Sequence, residues 1–226
     1  MTTTVDIVIP TLNAGTTLAR TLAALPAHPD LVFSTTICDG GSHDDTVTIA
    51  RRAGAAVVTA PPGRGGQLAT GAAAGRTPWL LFLHADTRLG PGANDAIARF
   101  VRSAADKAGY FRLCFDAEEA GARRVERLAA WRCRSFGLPY GDQGLLISRA
   151  HYERLGGFRP LPLMEDVDLV RRIGRDDLVP LDADALTSAA RYRRDGWLLR
   201  PLRNLTCLTL YFAGVPPQTL QRLYGR

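Results

Sequence analysis

Trp79-Leu80-Leu81-Phe82-Leu83-His84-Ala85-Asp86-Thr87-Arg88-Leu89-Gly90 carries five large apolar residues without a break and turns polar at His84. An unbroken run, unlike an alternating one, predicts a strand covered on both faces, as in a parallel sheet between helices. Its polar end then puts His84 and Asp86 at the rim of that sheet. The same pattern recurs upstream. "VDIVIP" (5–10) reads as a strand stopped by Pro10, and Gly15 to Leu25 has helical spacing. "FSTTICD" (33–39) is a second strand. "SHDDTVTIARRAG" (42–54) follows as a helix, with Ser42 as N-cap, Asp44 and Asp45 in the first turn and Gly54 as the stop. "AAVVTA" (55–60) is a third strand, and Gln67 to Gly75 a small-residue helix. After the Trp79 strand, Ala93 to Ala105 reads as a helix. Repeated β-α units predict an α/β fold, a Rossmann-like, mostly parallel sheet flanked by helices.

The second half is less regular. "GYFRLCF" (109–115) and "GLLIS" (144–148) read as strands, and Glu118 to Phe136 and "MEDVDLVRRIG" (164–174) as helices. "LVPLDA" (178–183) and "LTSAARY" (186–192) read as a strand pair, and Trp197 to Ala213 as a final helix. No repeat or low-complexity linker divides the chain. The expectation is one domain over 1–226, with two functional halves (1–115 and 116–190) and a basic helical tail (191–226).

Composition narrows the class. With 46% apolar and 22% charged residues, the chain is of the ordinary soluble globular kind. No run of about 18 apolar residues predicts a membrane span, and "MTTTVDIVIP" lacks the basic and apolar regions of a secretory leader. Cys38, Cys114, Cys133 and Cys207 form no C-x-x-C pair, which argues for reduced thiols, against zinc, and for the cytoplasm. The net charge of +6 resides in the tail: from Ala190 onward there are seven arginines and one acid, Asp195. The apolar segment of that tail is expected to dock on the sheet domain; the competing expectation, since such a tail attracts phosphate groups or anionic lipid, is peripheral contact with the inner face of a membrane. Nucleic acid is not expected as a partner. Arg193 and Arg194 could also fold over a phosphate-bearing ligand, because guanidinium forks match phosphate oxygens.

In an open parallel sheet, ligands bind beyond the carboxyl ends of the strands. Three of the first four strands end there in polar residues: Pro10-Thr11-Leu12-Asn13, Asp39-Gly40-Gly41-Ser42 and His84-Ala85-Asp86. A dinucleotide fold would need G-x-G-x-x-G after the first strand, where this chain has "PTLNAG". The G-x-x-x-x-G-K-[ST] phosphate loop is absent too. The glycines of "GRGGQ" (63–67) read as a flexible loop whose amides could approach a phosphate.

The stretches "VIPTLNAGTTLARTL", "ICDGGSHDDT", "GRGGQLATGAAAG", "LLFLHADTRL", "GDQGLLISR" and "MEDVDLVRRI" together resemble a family 2 glycosyltransferase of the GT-A fold. "FLHAD" and "GDQG" most resemble its small soluble group described as rSAM/selenodomain-associated or arsenosugar-biosynthesis-type. The resemblance implies an inverting transfer of sugar from a nucleotide-diphosphate sugar, UDP favoured, with Mg²⁺ or Mn²⁺. It implies that Pro10, Thr11 and Asn13 cradle the nucleoside, that Asp39 hydrogen-bonds the base or ribose, and that Arg64 reaches the nucleotide. Asp86 matches the last acid of the D-x-D metal motif, and Asp166 the general base. Asp142, Gln143 and Glu165 match the acceptor side, where a small-molecule or lipid-linked hydroxyl would bind and which the docked tail would close.

The chain departs from the pattern at Ala14, where the family often has an acid, and at His84, which replaces the first D-x-D acid. The Q-x-x-R-W motif of processive synthases is absent. Two other readings stand beside the enzyme: a non-catalytic sugar-nucleotide-binding module, and a nucleotidyltransferase, which would carry a glycine-rich loop after the first strand.

Overall fold

The structure, a computed structural model, describes residues 3–224. Strands β1 (Thr3–Thr11), β2 (Leu31–Asp39), β3 (Ala56–Thr59) and β4 (Trp79–Phe82) are parallel, joined through α1 (Leu18–Ala23), α2 (Thr46–Arg52) and α3 (Arg64–Ala74). Then come β5 (Thr87–Leu89), α4 (Ala93–Ser103), β6 (Ala108–Phe115), α5 (Ala120–Phe136), β7 (Leu145–Ser148), α6 (Arg149–Arg154), α7 (Glu165–Ile173) and β8 (Leu178–Thr187). The tail forms α8 (Ala190–Asp195), α9 (Leu199–Phe212) and α10 (Pro217–Tyr224). One sheet runs in the order β3-β2-β1-β4-β7-β6-β8-β5. β7 and β5 run against the other six strands, so the sheet is mostly parallel, as expected.

The apolar runs are covered on both faces. Ile7, Ile9 and Leu81 face α4 with Ile97 and Phe100, whereas Val8, Leu80 and Phe82 face α3 and α7 with Leu68 and Leu169. Alternate residues of one strand thus enter two cores.

Four expectations are corrected. "LVPLDA" and "LTSAARY" are not a strand pair: Leu178–Thr187 is one continuous strand, and Ala190–Asp195 is helical. The acids between the two segments are accommodated in the strand, with Asp184 paired to Arg112 at 2.6 Å. "GRGGQ" is not a loop, since Arg64, Gly65 and Gly66 form the first turn of α3. Ser42 does not cap α2, which begins at Thr46; the Ser42 hydroxyl serves Asp39 and Asn13 instead. The final helix starts at Leu199, with Pro201 in its first turn, where a missing N–H costs nothing.

The tail packs on the body. Cys207, Leu208 and Leu220 cluster with Leu163, Met164 and Val167, while Tyr192 and Trp197 stack on each other and meet Phe115 edge to face. Arg226 lies outside the described residues. Among the described residues, no helix is long and apolar enough to cross a membrane.

One buried ion pair ties the layers. Asp6 in β1 is 4% exposed and accepts from Arg149 Nη2 at 2.9 Å and from the Ser34 hydroxyl of β2. Arg149 also donates to the Thr77 and Ala72 carbonyls, both at 2.7 Å. Asp6→Ala leaves that guanidinium buried without its carboxylate and should cost about 3 kcal/mol. Urea unfolding checks this; a loss under about 1 kcal/mol would show that the pair does not brace the sheet.

Candidate active site

The ends of β1 and β2 are laced through one carboxylate. Asp39 Oδ1 accepts from the Thr11 hydroxyl at 2.9 Å and the Ser42 hydroxyl at 2.5 Å, and Oδ2 accepts the Gly41 and Ser42 amides at 3.0 and 2.8 Å. Burial works to raise the Asp39 pKa, but these hydrogen bonds outweigh it and hold the carboxyl below its usual range. Asn13 adopts a left-handed φ of 51°, which asparagine tolerates, and its side chain accepts the His43 amide at 2.9 Å. Pro10, Thr11, Asn13 and Asp39 therefore share one rim.

The second rim follows β4. His84 Nδ1 contacts Asp142 Oδ1, and one ligand atom each from His84, Asp86 and Asp142 lies within 4.8 Å of the others. Asp142 reaches this position because β7 pairs antiparallel with β4, which brings the chain entering β7 to the end of β4. Burial would raise the Asp142 pKa, but His84, Arg64 and Arg191 pull it well below the ordinary range. Burial and the charge of Asp142 push Asp86 the other way, up, against His84, Arg191 and Arg64. The two neighbouring carboxyls are thus driven apart, as expected for like charges in one confined site.

Arg64 joins this group to α7. Its Nη1 lies 3.4 Å from Glu165 Oε1, which is buried and has no hydrogen-bond partner. Burial lowers the Glu165 preference for charge, and Asp166 adds to the upward shift that Arg64 opposes. Desolvation works against the Arg64 charge too, yet Glu165, Asp166, Asp142 and Asp86 together hold it protonated. The contact depends on Gly65: a Cβ there would lie 2.2 Å from the Arg159 carbonyl oxygen and 3.1 Å from Glu165 Cβ. Only glycine lets the first turn of α3 approach the 159–165 segment so closely.

Asp166 Oδ2 accepts the Gly141 amide at 2.7 Å, and Oδ1 accepts the Val167 amide at 2.7 Å. The residue before this acidic pair, Met164, sits in the left-handed region with φ 67°. Held strain in a non-glycine residue concentrates at functional positions.

The other expected residues fall elsewhere. Gln143 is buried, donating to the Phe111 carbonyl at 3.0 Å and accepting from Arg132 at 2.8 Å, so it braces the loop. Arg193 forks onto Glu119 at 2.7 and 3.3 Å and lines a separate cavity with Phe115, Glu118 and Arg123. The structure does not bring it to Asp86. Arg191 is the tail arginine whose charge acts on Asp86 and Asp142. Two residues apart on α8, the two side chains point to nearly opposite sides. The sequence signal for Arg191 was only the general basicity of the tail.

The fold recurs in known proteins. The chain resembles an uncharacterized glycosyltransferase, Rv0539 of Mycobacterium tuberculosis, at 38% identity over 89 residues, a stretch that spans 39% of each protein. Its fold matches glucosyl-3-phosphoglycerate synthase from Mycobacterium tuberculosis, solved with Mn²⁺, UDP and glucosyl-3-phosphoglycerate. The TM-score is 0.56 at 22% identity, covering 82% of this chain and 71% of that one. It also matches S. aureus TarS solved with UDP-GlcNAc, with a TM-score of 0.64 at 12% identity, over 81% of this chain and 58% of that one. The sequence pattern described as "Glycosyl transferase family 2" matches residues 6–155, about two thirds of the chain. That span takes in both strand-end rims and the His84–Asp86–Asp142 group, and the chain belongs to glycosyl transferase family 2.

Proposed function

We propose that the chain is a metal-dependent inverting glycosyltransferase that moves a sugar from a nucleotide-diphosphate sugar, UDP favoured, to an acceptor hydroxyl on a small or lipid-linked molecule. The observation that carries this is the convergence of His84, Asp86 and Asp142 within 4.8 Å, joined through Arg64 to Glu165 and Asp166. The likeness of "FLHAD" and "GDQG" to the small group named above supports a place in it. UDP in the structural neighbours supports the choice of nucleotide.

The residues present fit a divalent cation. One imidazole nitrogen and two carboxylates converge, and the ionisation of Asp86 that burial and Asp142 oppose is what a cation would restore. Mn²⁺ or Mg²⁺ held there would neutralise the donor diphosphate and the charge that develops as it leaves. In this reading Thr11, Asn13 and the Asp39-braced loops hold the nucleoside, with Pro10 shaping the turn. Arg64 and Arg191 flank the diphosphate. Asp166 takes the proton from the acceptor hydroxyl, whose oxygen bonds to the anomeric carbon as the bond to the diphosphate breaks. Attack from the face opposite the leaving group inverts the configuration. Glu165 positions Arg64.

Three outcomes are expected. Calorimetry should show UDP binding that requires Mn²⁺, and Asp86→Ala should weaken it by about a hundredfold; binding indifferent to both removes the metal from the mechanism. Asp166→Asn should retain donor affinity and reduce turnover about 10²-fold or more. Equal, slow donor hydrolysis by both proteins would mean a binding module. Because an imidazole ligand suits Mn²⁺ better than Mg²⁺, direct metal titration should show tighter Mn²⁺ binding, and His84→Asp should narrow the difference. An unchanged ratio would take His84 out of the ligand set.

A further inference from the structure

Helix α9 is apolar on two opposite sides. Its inner side, with Cys207 and Leu208, packs on Met164 and Val167. On its outer side Leu202 and Leu205 are 60% and 57% exposed, with Leu199 at 68% and Leu198, just before the helix, at 72%; Phe212 turns back to the body, its ring under the Arg171 guanidinium. An outer stripe of this size is not needed for the fold, and a contiguous exposed apolar face marks an interaction surface.

The charge around it identifies the partner. From Gly196 to Tyr224 there is no acidic residue. Arg200 is drawn inward to Asp195 at 2.5 Å, but Arg203 is exposed next to Leu202 on α9, and Arg222 is exposed next to Leu223 on α10. α5 abuts this segment through Trp197, which packs over Gly121. It adds exposed Leu128 and Trp131 among Arg124, Arg127 and Arg134. Leucine and tryptophan flanked by arginine, with no acid from Gly196 to Tyr224 and a single one on α5, Glu126, which Arg123 neutralises, is the composition of a surface lying in an anionic membrane interface. A second copy of the chain fits less well: a two-fold dimer through this face would set Arg203 and Arg222 near their own copies.

We infer that the outer face of α9 docks this protein on the surface of an anionic lipid bilayer. The apolar side chains enter the headgroup boundary, and the arginines meet lipid phosphates. Because the inner face of the same helix covers Met164 and Val167, on either side of Glu165 and Asp166, docking places the acceptor side of the site next to the bilayer. That geometry suits an acceptor hydroxyl carried on a lipid. The surface inference stands without the enzymatic reading, because lipid binding is measured without donor or metal.

The test is flotation of the purified full chain with vesicles of phosphatidylcholine alone or mixed with phosphatidylglycerol. Partition should be at least about tenfold greater on the anionic vesicles at low salt, and high salt should release the protein. Leu202→Glu/Leu205→Glu should lower partition by about tenfold or more with an unchanged melting temperature, since both side chains are exposed. Arg203→Glu should weaken it while leaving all the leucines in place. Absence of flotation on anionic vesicles, or equal flotation of the leucine variant, overturns the inference. Light scattering gives the other occupant its own signature: a dimer that the leucine variant makes monomeric, without flotation, would assign the face to a second copy.

Discussion

Four carboxylates, on Asp86, Asp142, Glu165 and Asp166, share one crevice, and the field of all four converges on Arg64. Two unit charges 4.8 Å apart repel by about 3 kcal/mol at an effective dielectric of ~20. Set against a net stability of about 5–15 kcal/mol for a domain, a single such pair is a large term. The protein meets it by dividing the protons. Asp142, on His84, stays ionised, while burial and a neighbouring acid press Asp86 and Glu165 toward the neutral form. A site built this way is short of positive charge, and that shortage gives it affinity for a cation.

The contrast with Asp6 shows that the shortage is not a general feature of the fold. Asp6 is as buried as any acid of the site, yet Arg149, Ser34 and the Thr77 amide all serve it. Asp39 likewise accepts four hydrogen bonds from its own loops. Acids that brace the fold are saturated with donors. Glu165 Oε1 has no hydrogen-bond donor, and Asp86 is pressed by its neighbour. The proposed base Asp166, by contrast, accepts backbone amides on both oxygens, so incomplete hydrogen bonding marks Glu165 and not every acid of the crevice.

What the sequence revealed follows the same physics. Strands β1 and β4 were legible because burial on both faces demands a nearly unbroken apolar run, and the rim at His84 and Asp86 was legible because the run stops there; β2 and β3, partly open to solvent, carry no such run. The continuity of β8 was not, because Asp182 and Asp184 interrupt the apolar pattern in a strand that alternates between buried and open positions. The Asp142–His84 contact was not legible either. It depends on β7 inserting between β4 and β6, a non-sequential pairing that no local pattern encodes. The start of α3 was misread because glycines ordinarily weaken helices, whereas Gly65 is selected for close approach to the Arg159 carbonyl. Arg191 and Arg193 look equivalent in sequence; only the phase of α8 separates one that acts on Asp86 from one that pairs with Glu119.

The tail is therefore part of the site and not an addition to it. Glu165 and Asp166 open α7 directly after Met164, whose left-handed backbone would relax if nothing held it. What holds it is packing: Met164 and Val167 are buried against Cys207, Leu208 and Leu220 of α9 and α10, and the Tyr140 ring of the same cluster lies under the Arg132 guanidinium. On the other flank, α8 directs Arg191 toward Asp86 and Asp142, while Tyr192, the next residue, stacks on Trp197 and Phe115. The tail thus supplies a charge to one side of the crevice and fixes the backbone of the other. The inner face of α9 packs against the residues on either side of Glu165 and Asp166, while α8 carries the Arg191 charge that acts on Asp86 and Asp142.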